Sequence, residues 1–144
     1  MADDIFVGAL MFIANRAVEN RVIDALRRAG YADLTLAQGR IAARIGPDGT
    51  RLTDLAEQAQ VSKQTATHLV DQLERGGYVE RTVDPTDGRG RVVRFTSQGH
   101  KVIRVARAEE ERITAEWTRH LGKSRMGQLR ETLTMLREIT DPYA

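Results

Sequence analysis

The strongest constraint on the fold is a change of period near residue 77. Up to that point apolar residues recur at intervals of three and four, the mark of amphipathic helices. Then "YVERTV" and "RVVRFT" alternate apolar and polar, the period of a half-buried strand. Between them lies "DPTDGRG", rich in turn-forming residues. A helical chain with one hairpin at this place has few architectures open to it. The reading is a mostly α fold of the α+β class, with a two-stranded β-hairpin joined by a loop of roughly seven residues, longer than a tight turn needs.

The helices before the hairpin have readable ends. Residues 5 to 29 form a long amphipathic segment with Ile5, Leu10, Ile13, Val22, Ile23 and Leu26 at helical spacing, and Gly30 stops it. Thr35 is placed to cap a second helix over "LAQGRIAARIG", which runs to Gly46 and Pro47. Thr53 is expected to cap the short helix "DLAEQAQ", and "VS" to break it. Ser62 caps "KQTATHLVDQLERGG", which ends at Gly76 and Gly77. After the hairpin, Ser97 restarts a helix to about residue 120. Gly122 interrupts it, and a last helix carries Met126, Leu129, Leu133, Leu136 and Ile139 on one face.

Residues 52 to 81 therefore read as a helix–turn–helix. Leu55, Ala56, Ala59 and Val61 face inward from its first helix and turn, and Ala66, Leu69, Val70 and Leu73 from its second. Lys63, Gln64, Thr65, Thr67, His68 and Asp71 are left outside. Short polar side chains near a helix N-terminus suit the base edges of a DNA major groove, and the N-terminus at Ser62 favours a phosphate. A solvated amphipathic helix would show the same pattern. The hairpin adds to it. Residues 75 to 104 hold Arg75, Arg81, Arg89, Arg91, Arg94, Lys101 and Arg104 against Glu80, Asp84 and Asp87. The whole chain is only +2, so the positive charge is local and sits where a hairpin meets a phosphate backbone. An arginine on a glycine-flanked tip can enter a minor groove. Asp87, two residues before Arg89, is expected to pair with its guanidinium and aim it outward. Arg81 and Arg94 are expected to add electrostatic anchorage.

Other chemistries lack support. There is no cysteine, which removes disulfides and thiolate metal sites. His68, His100 and His120 show no metal-ligand spacing. No nucleophile elbow, phosphate-cradling glycine loop or HExxH motif occurs, so neither enzymatic activity nor a cofactor is expected. No apolar run approaches the roughly 18 residues of a membrane span, and the acidic N-terminus does not read as a signal peptide. The expected location is the cytoplasm, in association with the nucleoid.

At this point the sequence resembles a known family. "DPTDGRGRVVRFTSQG" is similar to the wing signature of the MarR family of winged helix–turn–helix transcriptional regulators: Asp-Pro-x-Asp-x-Arg, a strand, then Leu-Thr-x-x-Gly. Asp84, Pro85, Asp87, Arg89, Thr96 and Gly99 match, and Phe95 stands where leucine is usual. Upstream, Leu55, Ala56, Ser62, Thr65, Leu73, Glu74, Gly77, Val79 and Arg81 match the family's helix–turn–helix. The resemblance implies a homodimeric regulator that binds a pseudo-palindromic site on double-stranded DNA, commonly as a repressor released by a small aromatic or phenolic anion. It maps the recognition helix to about residues 62 to 75 and the wing arginine to Arg89.

The expected site follows. Ser62, Lys63, Gln64, Thr65, Thr67 and His68 contact phosphates and base edges. Arg89 and Arg91 reach the minor groove or its phosphates, with Asp87, Arg81 and Arg94 in support. Arg16, Arg40 and Arg44 lie near where the family's effector pocket forms, and Ile13 and Ile41 are expected as its apolar walls; the plainer reading is surface arginines with buried stems. Residues 1–34 and 97–144 are assigned to dimerisation and residues 35–96 to DNA binding. Their apolar stripes exceed what the small winged core can cover, so they bury each other across a two-fold axis or fold back as a monomeric bundle. Trp117 and Met126 are expected to pack there. A winged helix that binds protein instead of DNA is the alternative function.

Overall fold

The computed structural model describes residues 4–143; residues 1–3 and Ala144, the outer ends of the two segments assigned to dimerisation, lie outside the described residues. The elements follow in the order α1 (Val7–Arg28), α2 (Leu36–Ala42), β1 (Thr50–Arg51), α3 (Leu52–Gln58), α4 (Lys63–Arg75), β2 (Val79–Asp84), β3 (Asp87–Phe95), α5 (Ser97–Leu121) and α6 (Lys123–Thr140). The expected winged helix–turn–helix with terminal helices is present. The wing sheet has three strands, not two. β1 pairs antiparallel with β3, giving the order β1-β3-β2. Two residues are too short to show a period, which is why "TR" reads as loop in the sequence.

Local chemistry sets most of the boundaries. α2 begins with a capping box: the Thr35 hydroxyl accepts from the Gln38 amide, and the Gln38 side chain accepts from the Thr35 amide. α2 stops at Ala42, short of the expected Gly46. α3 starts one residue after β1, with Arg51 as its cap position and no side-chain cap. Thr53 therefore lies inside α3 and does not cap it. α3 stops after Gln58, and Gln60 beyond it takes φ +55 while Val61 donates back to the Ala56 carbonyl. This is a left-handed C-terminal cap without glycine. α4 ends in the same way at Gly77, with φ +82, where Tyr78 donates to the Leu73 carbonyl at 3.0 Å. α5 is capped by Thr96, whose hydroxyl accepts from Gly99 at 3.1 Å, so Ser97 is its first helical residue and not its cap. A side chain at position 99 has no room: a Cβ there would stand 2.1 Å from the Tyr78 carbonyl oxygen.

The core lies between the helix–turn–helix and the sheet. Ile41, Leu55, Val70, Val79 and Val93 are sealed from solvent, with Ala66, Leu69, Leu73 and Leu34 around them. The inward set expected from α3 and α4 is the set that packs there. α5 lies against α1, and Arg21 of α1 reaches both Glu109 and Glu116 of α5. Glu109 is only 4% exposed, and Arg112 and Arg21 hold its carboxyl below the usual range. The outer half of α1 and all of α6 are different. Phe6, Leu10, Met11, Phe12, Ile13, Leu133, Met135 and Ile139 are exposed, and α6 contributes no buried residue. Among the described residues, no helix is long and apolar enough to cross a membrane.

Candidate nucleic-acid interface

The site is built from the start of α4 and the outer end of the β2–β3 hairpin. Ser62 caps α4: its hydroxyl accepts from the Thr65 amide at 3.0 Å and donates to the Thr65 hydroxyl at 2.9 Å. That cap turns the first helical turn into a rigid platform. Lys63, Gln64, Thr65 and His68 are exposed on it. Thr67 is half-buried, and its hydroxyl bonds back to the Lys63 carbonyl at 2.8 Å. Its hydrogen-bonding capacity is partly used within the helix.

Arg81 departs from expectation. Its guanidinium pairs with Asp71 and lies 3.9 Å from Glu74, and it donates to the Thr67 carbonyl at 3.5 Å. It is a brace that ties β2 to α4, its charge met by Asp71 and Glu74. The signal was present in the sequence, since Asp71 and Glu74 lie on one helix face three residues apart.

The wing tip also differs from the open loop expected. Pro85 and Thr86 alone form the turn, and Asp84 pairs with Asp87 across it. The register then jumps from Val83↔Arg91 to Asp84↔Asp87, so Gly88, Arg89 and Gly90 bulge out of the ladder. The cause is Asp84, which is 5% exposed. Its carboxylate accepts from the Thr86 amide at 2.9 Å, from the Thr86 hydroxyl at 2.8 Å and from the Arg51 guanidinium. These donors, the Thr86 amide first, hold its carboxyl below the ordinary range. Asp87 accepts from the backbone amide of Arg89 at 3.0 Å. It fixes the path of the chain through the bulge and does not pair with the Arg89 guanidinium. Arg51 was missed as a site residue. Only the strand pairing of β1 brings it to Asp84, 33 residues away, and no local pattern announces that.

Arg89, Arg91 and Arg94 are exposed, and among the described residues none of them pairs with a carboxylate. Arg91 donates only to the Gly90 carbonyl, at 3.2 Å. Three uncompensated guanidiniums on one strand, next to a tip locked by Asp84 and Asp87, form a preset binding edge for anions. Among the described residues no cluster of metal-ligating side chains occurs.

The residues named for an effector do not converge. Ile41 is fully buried in the core and cannot wall a ligand cavity. Arg40 makes a two-point contact with Glu19, at 2.7 and 3.0 Å, which lowers the Glu19 carboxyl pKa. Arg16 stacks over the Phe12 ring at 5.7 Å, and Ile13 is exposed on the same outer half of α1. Arg44 alone of the five lines a cleft of about 520 Å³, together with Gln58, Gln60, Arg137, Asp141 and Tyr143.

Comparison with known proteins bears on this geometry. Residues 32–90 match the model of the MarR family. The chain is 30% identical over 111 residues to the HTH-type transcriptional regulator FarR of Neisseria gonorrhoeae, 76% of each chain. The chain belongs to the MarR family. Members of the MarR family are transcriptional regulators, not enzymes. A second relative is the transcriptional activatory protein BadR of Rhodopseudomonas palustris, 33% identical over 94 residues, which are 65% of this chain and 53% of BadR. The chain spans about half the length of the first curated relatives it matches. Among solved structures, the transcriptional regulator Tm0710 of Thermotoga maritima is 28% identical with a TM-score of 0.64, and the match covers 93% of both chains. Similar folds solved with a bound molecule include the following. Sco3205 of Streptomyces coelicolor, in complex with DNA, is 23% identical with a TM-score of 0.69, over 99% of this chain and 91% of that one. NadR in complex with 4-hydroxyphenylacetate is 23% identical with a TM-score of 0.74, over 96% and 97%.

Proposed function

We propose that the chain is a homodimeric, sequence-specific regulator of transcription that grips double-stranded DNA with α4 and the wing. The observation that carries this is the set of uncompensated arginines, Arg89, Arg91 and Arg94, on a wing whose root is braced to α4 by Arg81. Arg89 and Arg91 enter the minor groove or contact its phosphates. Ser62, Lys63, Gln64, Thr65, Thr67 and His68 meet the major groove. Residues 35–96 are the DNA-binding unit, and residues 1–34 and 97–144 form the dimer. The exposed apolar residues of α1 and α6 support that assignment, since a monomer rarely leaves such an area open to water. Two-fold symmetry sets two copies of α4 roughly 34 Å apart, one turn of the duplex, and matches them to a pseudo-palindromic site. Occupancy of a promoter represses transcription, and a small aromatic or phenolic anion releases it. The NadR complex supports a ligand of that kind, and the DNA complex of Sco3205 supports the docking mode. The protein works in the cytoplasm, on the chromosome.

A mobility-shift titration with the chain's own upstream DNA, over a salt series, tests this. The logarithm of the affinity should fall linearly with the logarithm of salt concentration, by about 0.9 per phosphate contact. Affinity that ignores both sequence and salt would leave the wing without the role given to it. A promoter–reporter fusion then reads the sign of regulation, and a thermal-shift screen of aromatic acids reads the effector.

A further inference from the structure

Three side chains form a hydrogen-bonded relay from the start of α2 to the exposed face of α4. Gln38 is buried, 8% exposed. Its Oε1 accepts from the Thr35 backbone amide at 3.1 Å. Its Nε2 donates to Oε1 of Gln72 at 2.9 Å. Gln72 Nε2 stands 3.2 Å from Nε2 of His68. Gln72 is half-buried, and His68 is exposed.

The direction of each bond is fixed by the one before it. A backbone N–H only donates, so the group of Gln38 facing Thr35 must be its oxygen. The other end of Gln38 is then an NH₂, which only donates. It must meet the oxygen of Gln72, which turns the NH₂ of Gln72 toward His68. That NH₂ can bond only to a ring nitrogen that carries no proton. Nε2 of His68 is therefore the acceptor, and the proton of the neutral ring sits on Nδ1.

We infer that the Gln38–Gln72 relay sets His68 as a fixed hydrogen-bond donor that reads an acceptor on the DNA. This rests on the proposed function only in its second half. The relay holds Nε2 inward and leaves Nδ1–H for the duplex. A free histidine ring in water favours the other tautomer, with the proton on Nε2, so the protein overrides an intrinsic preference. A donor on the major-groove side selects a purine N7, guanine O6 or thymine O4 and disfavours the amino groups of adenine and cytosine. Gln38 and Gln72 are positioning residues: they act through His68 and decide which of its faces gives and which takes a proton.

Two measurements test the two halves separately. The first is a long-range ¹H–¹⁵N correlation spectrum of the full-length chain without DNA, about two pH units above the ordinary histidine pKa of about 6.5. His68 should show the Nδ1–H form, and the Nε2–H form would overturn the relay. The second uses Gln38→Glu. A carboxylate at position 38 accepts from Thr35 and also from Gln72, so Gln72 turns its oxygen to His68, and the ring proton moves to Nε2. Binding-site selection from random duplexes should then show one altered position per half-site, with discrimination there changed about tenfold and the remaining positions unmoved. A uniform loss of affinity with an unchanged preferred sequence would overturn the reading role. A wild-type chain that shows Nδ1–H but binds no duplex overturns the DNA half of the inference along with the proposed function, and leaves the relay standing.

Discussion

The winged unit and the terminal helices obey the same sequence rule and end differently. In the winged unit most strongly apolar positions find a partner within the chain, Val83 on the wing at 57% exposure standing apart, and Ile41, Leu55, Val70, Val79 and Val93 are sealed. In the outer half of α1 and in α6 the same helical spacing ends in solvent, with Phe12 at 58%, Met135 at 68% and Ile139 at 83% exposed. Periodicity states that a face is to be buried, but not what buries it. The winged core is closed within one chain, with Ile23 and Leu26 of α1 completing it. The apolar residues of the outer half of α1 and of α6 find no such cover among the described residues.

Charging that open face should have the largest effect. Phe12→Asp combined with Leu133→Asp puts two carboxylates where an apolar dimer contact is expected, and the dimer should weaken by at least about a thousandfold. Sedimentation equilibrium reads this, and the winged core should retain its near-native unfolding signal. A dimer of unchanged strength would place the interface elsewhere and remove the contrast between the two regions.

The next effect belongs to the sealed side. Leu55→Ala should cost roughly 2–5 kcal/mol of stability, from lost burial and the cavity left behind. Denaturant unfolding at fixed protein concentration measures it. Dimer affinity in native buffer should change little, because Leu55 belongs to the winged core alone.

Much of the winged unit was legible in the sequence for the same reason that it is sealed. Ser62, Gly77 and the inward residues of α3 and α4 carry local signals: a cap, a left-handed stop, a 3.6-residue period. What stayed hidden depends on residues far apart in the chain. β1 is two residues long and exists only because β3 is beside it. The tight wing turn depends on Asp84 being closed over by Thr86 and Arg51, whereas composition alone suggested a long loop. Arg81 is the exception: its partners Asp71 and Glu74 lie within ten residues of it on one face of the preceding helix, a local signal that its charge is already met. Ile41 looked like a pocket wall because an apolar residue beside arginines reads the same whether it faces a ligand or the core.

Smaller effects separate wing function from wing shape. Arg89→Ala should lower DNA affinity about ten- to a hundredfold and leave the dimer intact. Arg104→Ala, an exposed change on α5, should stay within about twofold. Equal losses, read by fluorescence anisotropy, would deny the wing tip its special place. Arg51→Ala removes a support of the tip but no direct contact, and should cost only several-fold.

Acid should act through the same clasp. The folded pKa of Asp84 lies below its unfolded value of about 3.9, so the contribution of the ionised carboxylate is present above that pH and is lost as pH falls through the folded value. The exchange protection factors of the Thr86 and Arg89 amides should hold at about pH 5 and fall below about pH 4. Asp84→Asn should flatten that dependence. Tyr78 works at the other extreme. Burial, with Asp33 as hydrogen-bond partner, pushes its hydroxyl up to about 12. Its contribution is complete below about pH 10 and is lost as pH rises toward 12. Tyr78→Phe should remove that alkaline limb, which is the smallest of these effects.

The most direct test is the stoichiometry of the complex in solution. Sedimentation of the full chain with a duplex drawn from its own upstream DNA, at low salt, should give two chains per duplex, formed from a dimer already present without DNA and dissociated as salt rises. A chain that sediments as a monomer and leaves the duplex unbound at every salt concentration would contradict both halves of the molecule as they are described above.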